Sequence, residues 1–253
     1  MSSDINSLGI AVALVTVLGT AIGGTLALRT RDHMHLLLGF SGGLLLGLAA
    51  FDLIPEVFEL TDATIFNVPT AMVALVSGFL LLHIIERISG AHEPVETEYV
   101  HDHVHSHGLT AGYIGATAMV VHVFLDGVAI GLSFQVSNAL GIAVAIAVVA
   151  HAFTDGLNTV ALLLDAGNWR KKSIYLLAVD GVARLGGAAI GTYVLIDDKF
   201  VSLYLALFAG MVIYLATSHI LPEAHSKHPS RLTLLSTIAG VLTMFLIINV
   251  AHH

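Results

Sequence analysis

Apolar segments long enough to cross a lipid bilayer recur along the whole chain. A membrane-spanning helix needs roughly 20 such residues, and eight segments of about this length occupy residues 8–28, 36–57, 68–88, 110–134, 139–164, 174–196, 200–221 and 232–250. Charged residues make up only 11% of the chain, against about 25% in a water-soluble domain. The sequence therefore predicts an all-α integral membrane protein with eight transmembrane helices, and it excludes a soluble enzyme.

Basic residues lie in alternate loops of this arrangement. The loops after spans one, three, five and seven contain Arg29, Arg31, Arg87, Arg170, Lys171, Lys172, Lys227 and Arg231, whereas the loops on the other side contain only Lys199. Short loops rich in lysine and arginine stay in the cytoplasm. Both termini are therefore predicted to be extracytoplasmic. We expect one transmembrane domain over residues 1–253, with a cytoplasmic loop at residues 89–109.

Two pairs of short motifs relate the two halves of the chain. Residues 52–56 (DLIPE) in span two are similar to residues 219–223 (HILPE) in span seven, and residues 122–127 (HVFLDG) in span four are similar to residues 151–156 (HAFTDG) in span five. Such internal symmetry is typical of membrane proteins built from inverted repeats. We expect spans one to three to be mirrored by spans six to eight, with four and five paired between them, in a 3+2+3 arrangement.

Histidine and aspartate lie four residues apart in both central spans. His122 with Asp126, and His151 with Asp155, each project from one face of a helix. Imidazole nitrogens and carboxylate oxygens are ligands for Zn²⁺ and similar ions, and an ionised carboxylate inside a membrane needs a partner. The four side chains are predicted to bind one divalent transition metal ion. A hydrogen-bonded clamp between the helices and a proton relay without metal are the alternatives.

The two central motifs resemble the fourth-span and fifth-span signatures of the ZIP (Zrt/Irt-like protein) metal transporters. The proline–glutamate pairs at 55–56 and 222–223, the eight spans and a histidine-rich loop fit the same family. The resemblance implies a non-enzymatic importer that carries Zn²⁺, Fe²⁺ or a similar divalent ion, as its transported substrate, into the cytoplasm. It also implies a homodimer in the lipid bilayer and an elevator-like motion of the motif-bearing helices. We expect the plasma (inner) membrane as the location and no nucleic-acid partner.

Three positions depart from the pattern of this family. Where many members have ligands for a second metal, this chain has Val123, Ala152 and Ala183, none of which binds a metal. Arg184 stands beside the last of them, and Asp180 lies four residues earlier. We predict a single-metal site in which Arg184 supplies positive charge where a second ion would lie. The alternative is an Asp180–Arg184 ion pair with a structural role only.

Polar groups near two helix ends are candidates for receiving the ion on either side of the membrane. His219 and Glu223 are predicted exit groups on the cytoplasmic side, and Asp52 and Glu56 are candidate entrance groups. Ordinary solvated helix ends are the alternative for all four, since polar side chains at such positions reach toward water.

The loop between spans three and four alternates histidine with acidic residues. Its histidines are His92, His101, His103, His105 and His107. This composition, without apolar periodicity, indicates a flexible segment that binds metal ions with low specificity. Because imidazole binds metal only when neutral, such binding should weaken as the pH falls toward the histidine reference pKa of about 6.5. An inert solvated linker is the alternative.

Deletion of residues 92–107 is expected to leave metal uptake measurable, because the loop is assigned to local capture or sensing and contains none of the intramembrane ligands. The measurement is uptake by the deletion variant and the full chain at matched membrane insertion. Complete loss of uptake by a correctly inserted variant would contradict the assignment.

An intramembrane zinc-dependent hydrolase acting on a lipid substrate is the strongest rival. Such an enzyme keeps one coordination position open and adds a general base and oxyanion donors, usually including serine. Ser133 follows the span-four motif in sequence. Internal repeats and ligands placed along a membrane-crossing path favour conduction instead. A metal-sensing receptor without flux is a third class.

Overall fold

Helices account for almost all of the chain that can be described. The computed structural model describes residues 2–27, 34–89, 107–165, 170–194, 197–226 and 231–251. Its helices are α1 (Ser2–Ala27), α2 (Met34–Leu48), α3 (Ile54–Leu60), α4 (Thr70–Ser89), α5 (His107–Val136), α6 (Asn138–Asp165), α7 (Arg170–Tyr193), α8 (Asp198–Tyr214), α9 (Leu221–Ser226) and α10 (Arg231–Ala251). The prediction of an all-α protein is confirmed.

Two π-helical turns join shorter helices into longer continuous ones. Ala49–Leu53 connects α2 to α3, and Leu215–Ile220 connects α8 to α9. A proline follows each turn, Pro55 in the first case and Pro222 in the second. Proline has no N–H and its ring crowds the carbonyl four residues earlier, so the backbone widens there for one turn. The two motifs that are similar in sequence thus share the same local distortion.

A small β-hairpin precedes α4, and its second strand overlaps the first two residues of the region predicted as the third span. Thr64–Ile65 pairs antiparallel with Val68–Pro69, so the prediction that helix begins at residue 68 is wrong by two residues. Phe66 and Asn67 have φ values of 50° and 63°, the left-handed conformation that a tight two-residue hairpin turn requires. Helix α4 begins directly after this hairpin.

Six helical segments within the described ranges are long and apolar enough to cross a membrane. They are Leu8–Thr25, His35–Leu60, Met119–Val136, Ile174–Tyr193, Lys199–Ile220 and Arg231–Val250, and shorter apolar helices cover Thr70–Ile85 and Asn138–Phe153. A chain with this many apolar helices is an integral, multi-pass membrane protein.

The helices form two groups. The most extensive contacts pair α5 with α7, α1 with α6, α2 with α10, and α4 with α8. Helices α1, α5, α6 and α7 also contact one another and make one four-helix bundle, which we call the motif bundle. Helices α2, α4, α8 and α10, with α3 and α9, lie beside it and form what we call the outer bundle. Buried apolar side chains concentrate on α2, α5, α6 and α8, so the core lies between the two bundles.

Candidate metal centre

Four predicted ligands converge between α5 and α6. One ligand atom from each of His122, Asp126, His151 and Asp155 lies within 4.8 Å of the other three. His122 Nε2 is 3.7 Å from an Asp126 oxygen and 3.9 Å from an Asp155 oxygen, while His151 Nε2 is 3.1 and 3.8 Å from oxygens of the same two aspartates. The i, i+4 spacing puts each pair on one helix face, and the contact between α5 and α6 brings the two faces together.

The two imidazole rings present their Nε2 atoms to the centre. His151 Nδ1 lies 2.8 Å from the carbonyl oxygen of Ala147 and must donate to it, because a carbonyl only accepts. This hydrogen bond fixes the ring and leaves Nε2 directed at the carboxylates, as in metal-ligating histidines generally. His122 Nε2 is buried and has no hydrogen-bond partner within the described part of the chain.

The spacing of these atoms suits a tetrahedral ion. Zinc holds nitrogen and oxygen ligands at about 2.0–2.2 Å, which places neighbouring ligands roughly 3.3 Å apart. The four nitrogen–oxygen separations given above lie between 3.1 and 3.9 Å, and one ligand atom from each residue lies within 4.8 Å of the others. Three of the side chains are buried and His122 is partly buried. Binding of one divalent ion would require these ligand atoms to move closer together.

Arg184 adds a buried positive charge to the same cluster. Its Nη2 atom lies 2.7 Å from Asp155 Oδ2 and 3.2 Å from Asp126 Oδ2, and it donates a hydrogen bond to each. Its Nη1 atom donates to Thr20 Oγ1 at 3.3 Å. The side chain is 1% exposed. The guanidinium from α7 therefore bridges the two carboxylates of the centre.

Glycines explain why the four helices meet at this depth. Each of the two aspartates is followed by a glycine. A Cβ atom built on Gly127 would lie 2.1 Å from the carbonyl oxygen of Arg184, and one built on Gly156 would lie 1.9 Å from the carbonyl oxygen of Thr20. Only glycine lets α5 touch the backbone of α7, and α6 the backbone of α1, this closely.

Asp180 lies one helical turn before Arg184 and has a different partner. Its Oδ2 atom accepts a hydrogen bond of 2.8 Å from Thr159 Oγ1, and its Oδ1 atom is buried without a hydrogen-bond partner among the described residues. The ion pairs of Arg184 within the described ranges are those with the two aspartates of the centre. The alternative of an Asp180–Arg184 pair is not the arrangement seen.

Among the other predicted residues, the side chains that the structure describes do not join this cluster. Asp52 is buried in the first π-helical turn, and Glu56 is partly buried in α3. His219 lies in the second π-helical turn, with its ring centroid 5.7 Å from that of Tyr214, and Glu223 lies in α9. The loop residues His92, His101, His103 and His105 and the side chains of His107 and Glu223 fall outside the described part.

Four hydroxyl groups near the centre were not identified from the sequence. Thr20 and Thr159 contact Arg184 and Asp180, as given above. Ser41 Oγ donates to the carbonyl of Ala150 at 2.9 Å, and Tyr204 Oη donates to the carbonyl of Leu125 at 2.6 Å. Both bonds join the outer bundle to the motif bundle. Ala150 directly precedes His151 on α6, and Leu125 directly precedes Asp126 on α5. Single hydroxyls in apolar spans are common, so the sequence held no signal that singled these out.

Ser133 is buried on α5, but it is remote from the ligands. It lies seven positions after Asp126, which corresponds to about 10 Å along a helix. It therefore does not supply the nucleophile or oxyanion donor that the hydrolase interpretation needs at the ion.

Comparison with known proteins agrees with the motifs. A family model described as ZIP Zinc transporter matches residues 91–248, more than half of the chain. The chain is 28% identical to Zinc transporter ZupT of Corynebacterium aurimucosum over 258 residues, which covers 95% of this chain and 97% of that protein.

Two eukaryotic relatives show similar identity over shorter stretches. The chain is 30% identical to Zinc transporter YKE4 of Saccharomyces cerevisiae over 228 residues, covering 80% of this chain and 66% of that protein. It is 31% identical to Zinc transporter SLC39A7 of Homo sapiens over 150 residues, covering 54% of this chain and 32% of the human protein. These matches confirm the resemblance seen in the two central motifs, and the chain belongs to the ZIP zinc transporter family.

Proposed function

We propose that this protein transports a divalent transition metal ion across the membrane through the centre formed by α5 and α6. The observation that carries the proposal is the convergence of His122, Asp126, His151 and Asp155 inside a multi-pass membrane protein. Zn²⁺ is the leading cargo because two nitrogens and two oxygens in this spacing suit it, and Fe²⁺ fits the same donors. Import into the cytoplasm is the direction that the family resemblance implies.

The charges around the centre favour one ion at a time. Asp126, Asp155 and Asp180 are buried with Arg184, so with neutral histidines two negative charges remain uncompensated. One divalent cation neutralises them, and net charge inside a membrane is costly. Val123 and Ala152, which stand where many family members have ligands for a second metal, are fully buried apolar residues. They offer no ligand atom to a second ion, which supports the same conclusion.

The pairing of helices supports the proposed 3+2+3 inverted repeat. The pattern of helix contacts is kept when α1 is exchanged with α7, α2 with α8, α4 with α10 and α5 with α6. This exchange converts the α5–α7 pair into the α6–α1 pair. The same exchange converts the α2–α10 pair into the α8–α4 pair. All four are the most extensive helix contacts. The exchange also relates the two π-helical turns and the two His-x-x-x-Asp-Gly motifs.

An elevator-type motion is the mechanism we propose for transport. All four candidate ligands and Arg184 lie in the motif bundle, so this bundle can carry the ion as a unit while the outer bundle stays fixed. The hydrogen bonds from Ser41 and Tyr204 to the backbone of α6 and α5 are inter-bundle contacts that such a motion would exchange. We also propose that the chain has eight spans with extracytoplasmic termini and a cytoplasmic loop at residues 89–109. It would act as a homodimer in the plasma membrane.

The exit and entrance groups remain part of the same proposal. His219 and Asp52 occupy equivalent π-helical turns in the two halves, and π-helical turns are frequent at functional positions. We assign His219 and Glu223 to the cytoplasmic exit, and Asp52 and Glu56 to the entrance. The loop histidines are assigned to low-specificity capture.

Reconstitution into liposomes tests transport itself. The purified chain, in vesicles that contain a zinc-sensitive dye, is expected to raise internal Zn²⁺ faster than protein-free vesicles. Flux equal to that of protein-free vesicles, with the ion still bound by the protein, would contradict transport and favour a receptor or an enzyme.

A further inference from the structure

Arg184 and a divalent cargo need the same oxygen atoms. The guanidinium donates to Asp155 Oδ2 at 2.7 Å and to Asp126 Oδ2 at 3.2 Å. A cation held by these carboxylates would stand in the same small volume, where the guanidinium and a divalent ion repel each other strongly because the surroundings are buried. Binding of the cargo therefore requires Arg184 to release at least one of the two oxygens.

A second acceptor for Arg184 is built into the same helix face. Asp180 precedes Arg184 by four residues on α7, a spacing at which side chains meet. Both side chains are 1% exposed. Asp180 Oδ2 accepts a hydrogen bond from Thr159, but Oδ1 is buried without a partner in the described part of the chain. A buried carboxylate oxygen without a donor costs free energy, and a rotated Arg184 could satisfy it.

This rearrangement separates the charges into two neutral groups. Asp126 and Asp155 with one divalent ion carry no net charge, and neither does a pair formed by Asp180 and Arg184. If Arg184 kept its place beside a bound divalent ion, the ion centre would carry a positive charge and Asp180 a separate negative charge. The first distribution is the more stable one in a medium of low dielectric constant.

We propose that Arg184 is a tethered counter-ion that holds Asp126 and Asp155 when no cargo is bound and turns to Asp180 when a divalent cation enters. The inference rests on the proposed function, because it assumes that the α5–α6 centre binds the cargo. Arg184 then competes with the ion and sets its affinity, and Asp180 lowers the cost of displacing Arg184. The pair would keep the carboxylates compensated during the return of the carrier without cargo.

Equilibrium binding of Zn²⁺ to the full chain in detergent, measured against a chelating indicator, tests this role. R184Q removes the competitor and is expected to bind Zn²⁺ roughly tenfold more tightly than wild type, a factor of the size usual for coupling free energies between interacting groups in proteins. R184K keeps a positive charge at this position but loses the guanidinium fork, and it is expected to bind Zn²⁺ more weakly than R184Q because the charge still competes with the ion. A purely structural Arg184 predicts the opposite for R184Q, weaker binding.

Asp180 gives a second, independent measurement. D180N removes the alternative partner of Arg184 and is expected to weaken Zn²⁺ binding, and the loss should be smaller when R184Q is also present. Unchanged or tighter binding by D180N would overturn the inference even if R184Q failed to fold. Equal losses in the two backgrounds would overturn it where R184Q folds. Zinc flux through the wild-type chain in liposomes tests the proposed transport function separately. If the wild type transports Zn²⁺ and R184Q leaves Zn²⁺ affinity unchanged, only the counter-ion role of Arg184 is rejected.

Discussion

Replacement of Gly156 by alanine is expected to push α6 away from α1 and to disrupt the metal centre one residue away. The added Cβ would lie 1.9 Å from the carbonyl oxygen of Thr20, and both groups belong to helix backbones that cannot rotate aside. Overpacking of this kind costs about 1–3 kcal/mol, occasionally more. Because Asp155 directly precedes Gly156, it moves with the helix, and we expect Zn²⁺ affinity to fall along with thermal stability.

Gly186→Ala is the matched control for this substitution. Gly186 is exposed on α7, and a Cβ built there meets nothing within 4 Å. It lies two residues from Arg184, so it reports on the same region without the clash. The measurements are the temperature of unfolding in detergent and the Zn²⁺ affinity of both variants. Equal behaviour of Gly156→Ala and Gly186→Ala would show that the close contact between α1 and α6 is not required.

Replacement of Asp155 by asparagine is expected to abolish tight ion binding. The substitution keeps the shape of the side chain but removes a negative charge, and it can place an NH₂ group where Asp155 Oδ2 now accepts from Arg184. Loss of an outer hydrogen-bond partner of a ligand already weakens metal affinity roughly 10–100-fold, and loss of a ligand should exceed that. Wild type is expected to bind one tightly held Zn²⁺ per chain, and D155N none.

Asp197→Asn controls for the change of charge. Asp197 is exposed at the start of α8, and its side chain makes no capping hydrogen bond. Aspartate and asparagine are about equally suited to such a position, so Zn²⁺ binding by this variant should equal that of wild type. Binding by D155N within about threefold of wild type would remove Asp155 from the ligand set.

The sequence predicted the helices and the convergence of His122, Asp126, His151 and Asp155 for reasons that act locally. Apolar runs of the length of a bilayer determine where helices form, and the i, i+4 spacing in α5 and α6 determines which face carries histidine and aspartate. The repetition of that spacing in two adjacent spans was enough to predict that the four side chains meet. Helical geometry and the contact between α5 and α6 are sufficient to explain why these side chains meet.

Other features depend on contacts between distant segments, which the sequence could not reveal. Arg184 was placed near the site, but its bridge between the two aspartates requires α7 to cross α5 and α6 at one depth. The roles of Ser41 and Tyr204 depend on the packing of the outer bundle. The hairpin before α4 depends on Phe66 and Asn67 adopting a backbone conformation that is uncommon for phenylalanine.

The most direct measurement of the central claim is uptake of ⁶⁵Zn by proteoliposomes that contain equal amounts of wild type, the double variant H122A/D155A, or the control Asp197→Asn. If the ion crosses the membrane through the four-ligand centre, wild type and Asp197→Asn should show the same uptake, and the double variant should fall to the level of protein-free vesicles. Equal uptake by wild type and H122A/D155A would contradict this assignment of the transport site.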